Sequence, residues 1–225
     1  MRIAIIGTAR SRSTILFHIV SKQYPSLTCL FEFFTQHLKN NVPFLDIANA
    51  LLAKDNYIVK ILCHNLFAPN ATIECLHLEK YDYIHMIERP DFFHQCCSLQ
   101  FSKDYNIWHN TIENKFVYSE IRKMPSTLKL DSILHQAGGV NMQIELKKYL
   151  IQHNINFVIN DYNDPRFDSL PNILSDPKLD YESIITNYHY KDLIESLFKK
   201  HFDYNTLRND LNSFTEELLL NFVVP

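Results

Sequence analysis

Short apolar runs alternate along the chain with stretches of helical periodicity. Residues 3–6 (Ile-Ala-Ile-Ile), 57–62 (Tyr-Ile-Val-Lys-Ile-Leu), 82–87 (Asp-Tyr-Ile-His-Met-Ile) and 155–159 (Ile-Asn-Phe-Val-Ile) read as strands, the first two buried on both faces. Between them, Ile15, Leu16, Ile19 and Val20 predict a helix from Ser13 or Thr14 to about Lys22, stopped before Pro25. Further helices are expected over residues 44–52 and 71–79, and after Pro90, where Phe93, Cys96, Cys97 and Gln100 or Phe101 would face inward. Residues 128–136 and 141–153 read as two helices separated by Gly138-Gly139, the second with Met142, Leu146, Tyr149 and Leu150 on one face. Residues 192–202 and 204–220 close the chain as helices. Residues 28–34 are apolar except for Glu32, a carboxylate that in such a run is either expensive or useful.

Strands alternating with helices predict an α/β fold: three layers, a mostly parallel central sheet with helices on both faces. The 225 residues suit one domain spanning 1–225. Residues 103–127 are irregular, rich in Tyr, Asn and Lys, and hold the only tryptophan, Trp108. They read as a lid or substrate-side insertion.

Composition narrows the function classes. A formal net charge of -3 provides no global field for nucleic acid or an anionic membrane, so any anion binding must be local. Five cysteines without CxxC spacing predict reduced thiols and no zinc site. No apolar run approaches the roughly 20 residues of a membrane span, and Arg10 and Arg12 follow the first strand too soon for a signal-peptide core. The expectation is a soluble, cytoplasmic protein.

The chemistry is concentrated after the first strand. Gly7, one of only three glycines, ends the run, and Thr8-Ala9-Arg10-Ser11-Arg12-Ser13-Thr14 leads at once into a helix. Strand, tight turn and helix N-terminus together present unpaired N–H groups and a positive dipole end, so the expected ligand is a phosphate. A nucleotide-triphosphate loop, G-x-x-x-x-G-K-[ST], matches only at Gly7 and Thr14; Arg12 stands in place of its second glycine and Ser13 in place of its lysine. What remains is a cradle of N–H groups with the Ser11, Ser13 and Thr14 hydroxyls and Arg10 as a forked charge partner.

Arg10-Ser11-Arg12-Ser13-Thr14 followed by Ile15-Leu16 resembles the 5′-phosphosulfate loop of the sulfotransferases, commonly [KR]-S-G-[ST]-T, with Arg12 where that family usually has glycine. If that position needs a positive φ, a non-glycine residue is strained there, so that either the loop is reshaped or Arg12 itself faces the phosphosulfate. Arg89 and Ser98, nine positions apart, are similar to the strand-end arginine and helix serine with which the family holds the 3′-phosphate. Gln95-Cys96-Cys97-Ser98 is similar to the Gln-x-x-Ser of bacterial carbohydrate (trehalose-type) members. Glu32-Phe33-Phe34 resembles the segment whose Glu is thought to deprotonate the acceptor in those enzymes, and Lys60 to His64 is a wider version of the Lys-x-His pair of the animal-type branch.

The resemblance implies a P-loop-like fold and transfer of a sulfuryl group from 3′-phosphoadenosine 5′-phosphosulfate (PAPS) to a hydroxyl acceptor, a small molecule or a carbohydrate. 3′,5′-Adenosine bisphosphate would be the product, and no metal is needed. It implies cofactor contacts from Arg10, Ser11, Arg12, Ser13, Thr14, Arg89 and Ser98. Glu32 would be the first choice of base and His64 the second, with Lys60 or Arg12 on the bridging oxygen. A non-catalytic nucleotide-binding relative and, with the lysine missing, a nucleotide kinase with a divergent loop are the alternatives.

Overall fold

The structure is a computed structural model that describes residues 1–105 and 128–168. Five parallel strands form one sheet in the order β2-β3-β1-β4-β5: β1 Arg2–Gly7, β2 Thr28–Leu30, β3 Tyr57–Leu62, β4 Tyr83–Glu88 and β5 Val158–Asp161. The helices are α1 Ser13–Gln23, α2 Phe33–Lys39, α3 Phe44–Leu52, α4 Phe92–Tyr105 and α5 Leu130–Gln152, with short 3-10 turns between elements. The expected α/β sheet with helices is therefore present, and every strand pairing in it is parallel.

β1 sits in the middle of the sheet, with Ile5 opposite Lys60 of β3 and His85 of β4. Its alternation divides the core. Ile3 and Ile5 pack with Ile15, Leu16, Phe17 and Val20 of α1, and with Phe167, on one face. Ala4 and Ile6 pack on the other with Phe34 of α2, Phe44 and Ile47 of α3, and Leu146 and Leu150 of α5. This split follows from strand order. The chain moves one way across the sheet from β1 to β2 and the opposite way at each later crossover, so connections of one hand place α1 alone on its face. The end of β1 is thus a point where neighbouring connections diverge to opposite faces, which opens a crevice at the carboxyl ends of the strands.

Several elements differ from the sequence reading. The 28–34 run is split: only Thr28–Leu30 pairs as an edge strand, and the chain reverses at Glu32, in left-handed backbone, into α2. Residues 71–79 form no α-helix; His77, at φ 48°, separates two single 3-10 turns. The two helices expected around Gly138-Gly139 are one helix. Its buried stripe runs through Ser132, Gln136, Gly139, Gln143, Leu146 and Leu150, and the small and polar members of that stripe broke the apolar pattern without breaking the helix. The last strand begins at Val158, with Ile155 and Phe157 packed before it. Trp108, most of the 103–127 stretch and the helices expected at 192–202 and 204–220 lie outside the described residues; 103–105 belong to α4. No helix among the described residues is long and apolar enough to cross a membrane, and all five cysteines are free.

The glycines make the packing testable. A Cβ on Gly7 would lie 2.7 Å from Ser11 Oγ and 3.0 Å from both Ile87 Cγ2 and Ser13 Cβ, whereas one on Gly139 would meet Thr8 Cγ2 at an ordinary 3.7 Å. Gly7→Ala should cost about 1–3 kcal/mol in urea unfolding. Gly139→Ala should be neutral or stabilise by up to about 1 kcal/mol, since alanine is the better helix former.

Candidate functional site

The loop from Thr8 to Arg12 is organised by what its carbonyls accept. Thr8 O takes the Ser11 hydroxyl at 2.8 Å, Ala9 O takes the side-chain amides of Gln95 (2.6 Å) and Gln136 (3.1 Å), and Arg10 O takes Arg89 Nη1 at 2.9 Å. In a trans peptide the N–H points opposite to the C=O, so the N–H groups of Ala9, Arg10 and Ser11 are turned away from these donors. Arg10 (φ 60°) and Arg12 (φ 64°) are left-handed on either side of Ser11, which is not. Such alternation makes a concave nest of N–H groups suited to an anion. The first intrahelical bond of α1 is Leu16 N–H to Arg12 O at 3.1 Å, and no side chain among the described residues caps the helix. Its leading N–H groups therefore add to the same positive end.

Two sets of side chains flank this end. Toward β4 and β5, Arg10 Nε donates to Ser98 Oγ at 2.8 Å, and Arg89 reaches the Arg10 carbonyl from the end of β4. The guanidinium carbons of Arg12 and Arg89 lie 4.6 and 4.7 Å from the ring centroid of Tyr162, just past β5, and Arg12 Nη1 also donates to the Tyr162 carbonyl at 3.1 Å. Arg89 Nε is buried with no hydrogen-bond partner among the described residues.

Toward β3, Lys60 Nζ donates to Thr14 Oγ1 at 2.9 Å and to Glu32 Oε1 at 2.8 Å, and sits 4.2 Å from the ring centroid of Phe31. The Lys60 side chain is 2% exposed and that of Glu32 21%. Burial holds the Lys60 ammonium below the ordinary lysine range, and the Glu32 carboxylate works against that shift. His64, in the 3-10 turn Cys63–Phe67 after β3, stacks obliquely on His135 of α5 with centroids 5.0 Å apart. Burial, then the neighbouring His135, pushes its pKa down to about 4, so it is neutral at pH 7 and a weak base; Nδ1 is buried without a partner among the described residues.

Of ten residues expected from the sequence to act at one site, eight are thus gathered around the start of α1 in two arms. Arg10, Arg12, Arg89 and Ser98 form one; Thr14, Lys60 and Glu32, with His64 beyond, form the other. Ser13 is buried in the first turn of α1, and Ser11 is wholly buried with its hydroxyl given to Thr8 O, so it shapes the loop. Arg12, which stands where the resembled loop has glycine, has left-handed backbone at φ 64°. Of eight non-glycine residues with positive φ among those described, five are Asn or His, types that tolerate it. The other three are Arg10, Arg12 and Glu32, all at this site, and strain that surrounding structure maintains in this way clusters at functional sites. Sequence reasoning missed Gln95 as a loop ligand, Gln136 and Tyr162. Only the Gln-x-x-Ser pattern pointed toward the first of these. Among the described residues no group of three or more His, Cys, Asp or Glu could hold a metal ion.

No family model matches the chain, and no curated protein or solved structure matches it either.

Two outcomes follow from the β3-side arm. Glu32→Gln strands a buried ammonium and should cost about 3 kcal/mol of stability, most of it recovered in the double variant Glu32→Gln/Lys60→Met, as read by chemical unfolding. Because the folded chain depresses the pKa of His64, the unfolded chain binds more protons between about pH 4 and the ordinary histidine value of 6.5, so stability is lost as pH falls through that window. Unfolding free energies at pH 7 and pH 4 should differ by about 1–3 kcal/mol less in His64→Asn than in the parent.

Proposed function

We propose that the protein is a sulfotransferase that moves the sulfuryl group of PAPS to a hydroxyl acceptor, on a P-loop-like architecture in a cytoplasmic setting. The observation that carries this reading is the meeting of Arg10, Arg89 and Ser98, remote in sequence, at a nest of N–H groups, with a Thr14–Lys60–Glu32 relay on the opposite side. Arg10, the nest and the start of α1 would bind the 5′-phosphosulfate; Arg89, whose Nε still lacks a partner among the described residues, and Ser98 would take the 3′-phosphate.

In this reading the acceptor oxygen attacks sulfur in line, and the bond from sulfur to the bridging phosphate oxygen breaks. The electron pair stays on that oxygen as 3′,5′-adenosine bisphosphate leaves. Glu32 takes the acceptor proton. That neutralises the carboxylate holding Lys60 and leaves the ammonium to balance charge on the bridging oxygen, where fixed positive charge lowers the barrier most. Arg12, held at Tyr162, is less directly placed for that task. Glu32 precedes His64 as the base because its carboxylate joins Lys60 and Thr14 at the start of α1, whereas the His64 ring lies farther along, against His135. Burial lowers the Lys60 pKa, and negative charge beside the ammonium, on Glu32 before the step and on the bridging oxygen during it, works against that shift.

Calorimetry with 3′,5′-adenosine bisphosphate, without magnesium, should show binding, and no binding by the wild type would overturn the proposal. Arg89→Ala should weaken the bisphosphate about 10–100-fold more than it weakens 5′-AMP; equal losses would remove the 3′-phosphate assignment. Incubation with radiolabelled PAPS and a panel of hydroxyl acceptors should show transfer that Glu32→Gln abolishes. Binding without transfer to any acceptor would mark a non-catalytic nucleotide-binding protein.

A further inference from the structure

Two buried carboxamides from different helices converge on one loop carbonyl. Gln95 of α4 and Gln136 of α5, 0% and 1% exposed, both donate Nε2 to Ala9 O, at 2.6 and 3.1 Å, and fill both acceptor positions of that oxygen. Gln95 Nε2 also donates to Thr8 Oγ1, while its own Oε1 is buried with no hydrogen-bond partner among the described residues. The amide is therefore oriented by what its NH2 group holds.

The reason for so much restraint lies one residue on. Arg10 is at φ 60°, a conformation its Cβ disfavours. Rotating the Ala9–Arg10 peptide plane by half a turn would carry that φ into the ordinary negative region and relieve the strain. The same rotation would replace the Arg10 N–H, on the concave side, by the Ala9 carbonyl oxygen, whose partial negative charge repels an anion. We infer that Gln95 and Gln136 are positioning residues that block this peptide flip and so hold the N–H nest in its anion-binding form before the ligand arrives. The inference rests on the anion-site reading of the loop and extends it to residues that do not themselves face the ligand.

The test is calorimetric titration of the full chain with inorganic pyrophosphate and, separately, 3′,5′-adenosine bisphosphate. Each single variant, Gln95→Met or Gln136→Met, keeps one donor on Ala9 O and should bind pyrophosphate about 5-fold more weakly, near the worth of one hydrogen bond. The double variant should lose more than the product of the two. Gln136→Glu adds a readout that a packing role would not move. At pH 9 its ionised carboxylate repels the Ala9 carbonyl and affinity relative to wild type should be lowest; at pH 5 the protonated carboxyl donates to that carbonyl and the relative affinity should recover. Wild-type pyrophosphate affinity in the methionine variants, or a pH-independent ratio for Gln136→Glu, would overturn the inference. Pyrophosphate binding without bisphosphate binding removes the sulfotransferase reading but leaves the clamp to be decided by the variants. A wild type that binds neither overturns both.

Discussion

The site depends on one contact that the absence of a side chain allows: the Ser11 hydroxyl folds back over Gly7 to reach the Thr8 carbonyl. Any Cβ at position 7 would occupy the space that Ser11 Oγ needs. With that turn closed, the chain leaves the central strand and starts α1 within a few residues, at the sheet end where connections part to opposite faces. A wider turn would move the helix N-terminus off the strand ends, out of reach of Arg89 on β4 and Lys60 on β3. The contacts that the loop and α1 make with Arg89 and Lys60 therefore presuppose this closure.

The electrostatics are local and opposed to the composition. A chain of net charge -3 assembles Arg10, Arg12, Arg89 and Lys60 around one helix N-terminus whose dipole has the same sign. Such a cluster repels itself, and the structure offsets this in two ways. Lys60 is neutralised by Glu32 and lies over the Phe31 ring, and the Arg12 and Arg89 guanidiniums lie over the face of Tyr162. The convergence of these basic groups on one helix N-terminus is the physical basis for expecting an anion.

What the sequence made legible was whatever a short window encodes. β1, β3 and β4 appear as apolar runs, α1 and α3 as periodicity, and the loop as the change from one to the other. Glu32 and Lys60 stood out as charges inside apolar segments, which is how burial of a paired ion looks from sequence. β2 and the continuity of α5 were not legible, because an edge strand of three residues has almost no pattern and a helix stripe made of Ser, Gln and Gly reads as a break. Gln95 and Gln136 share a carbonyl only after α4 and α5 have packed, so no local window contains their role. Tyr162 is hidden for the same reason: its meaning comes from two arginines more than seventy residues away, brought alongside when β5 joins the sheet at β4.

The two arms also differ in what they can do, and the fold explains why. The β4 and β5 side offers guanidiniums, a hydroxyl and an aromatic face, groups that bind charge without changing it at neutral pH. The β3 side offers Glu32, Lys60 and His64, groups whose protonation can change and whose burial already shifts the Lys60 and His64 equilibria. β1 and its loop lie between the arms. A ligand anchored by its anionic end on one side would place its reactive end across the start of α1, within reach of the titratable groups on the other. In the proposed reaction, binding and proton transfer would fall to strands on opposite sides of β1, with the loop between them setting their distance.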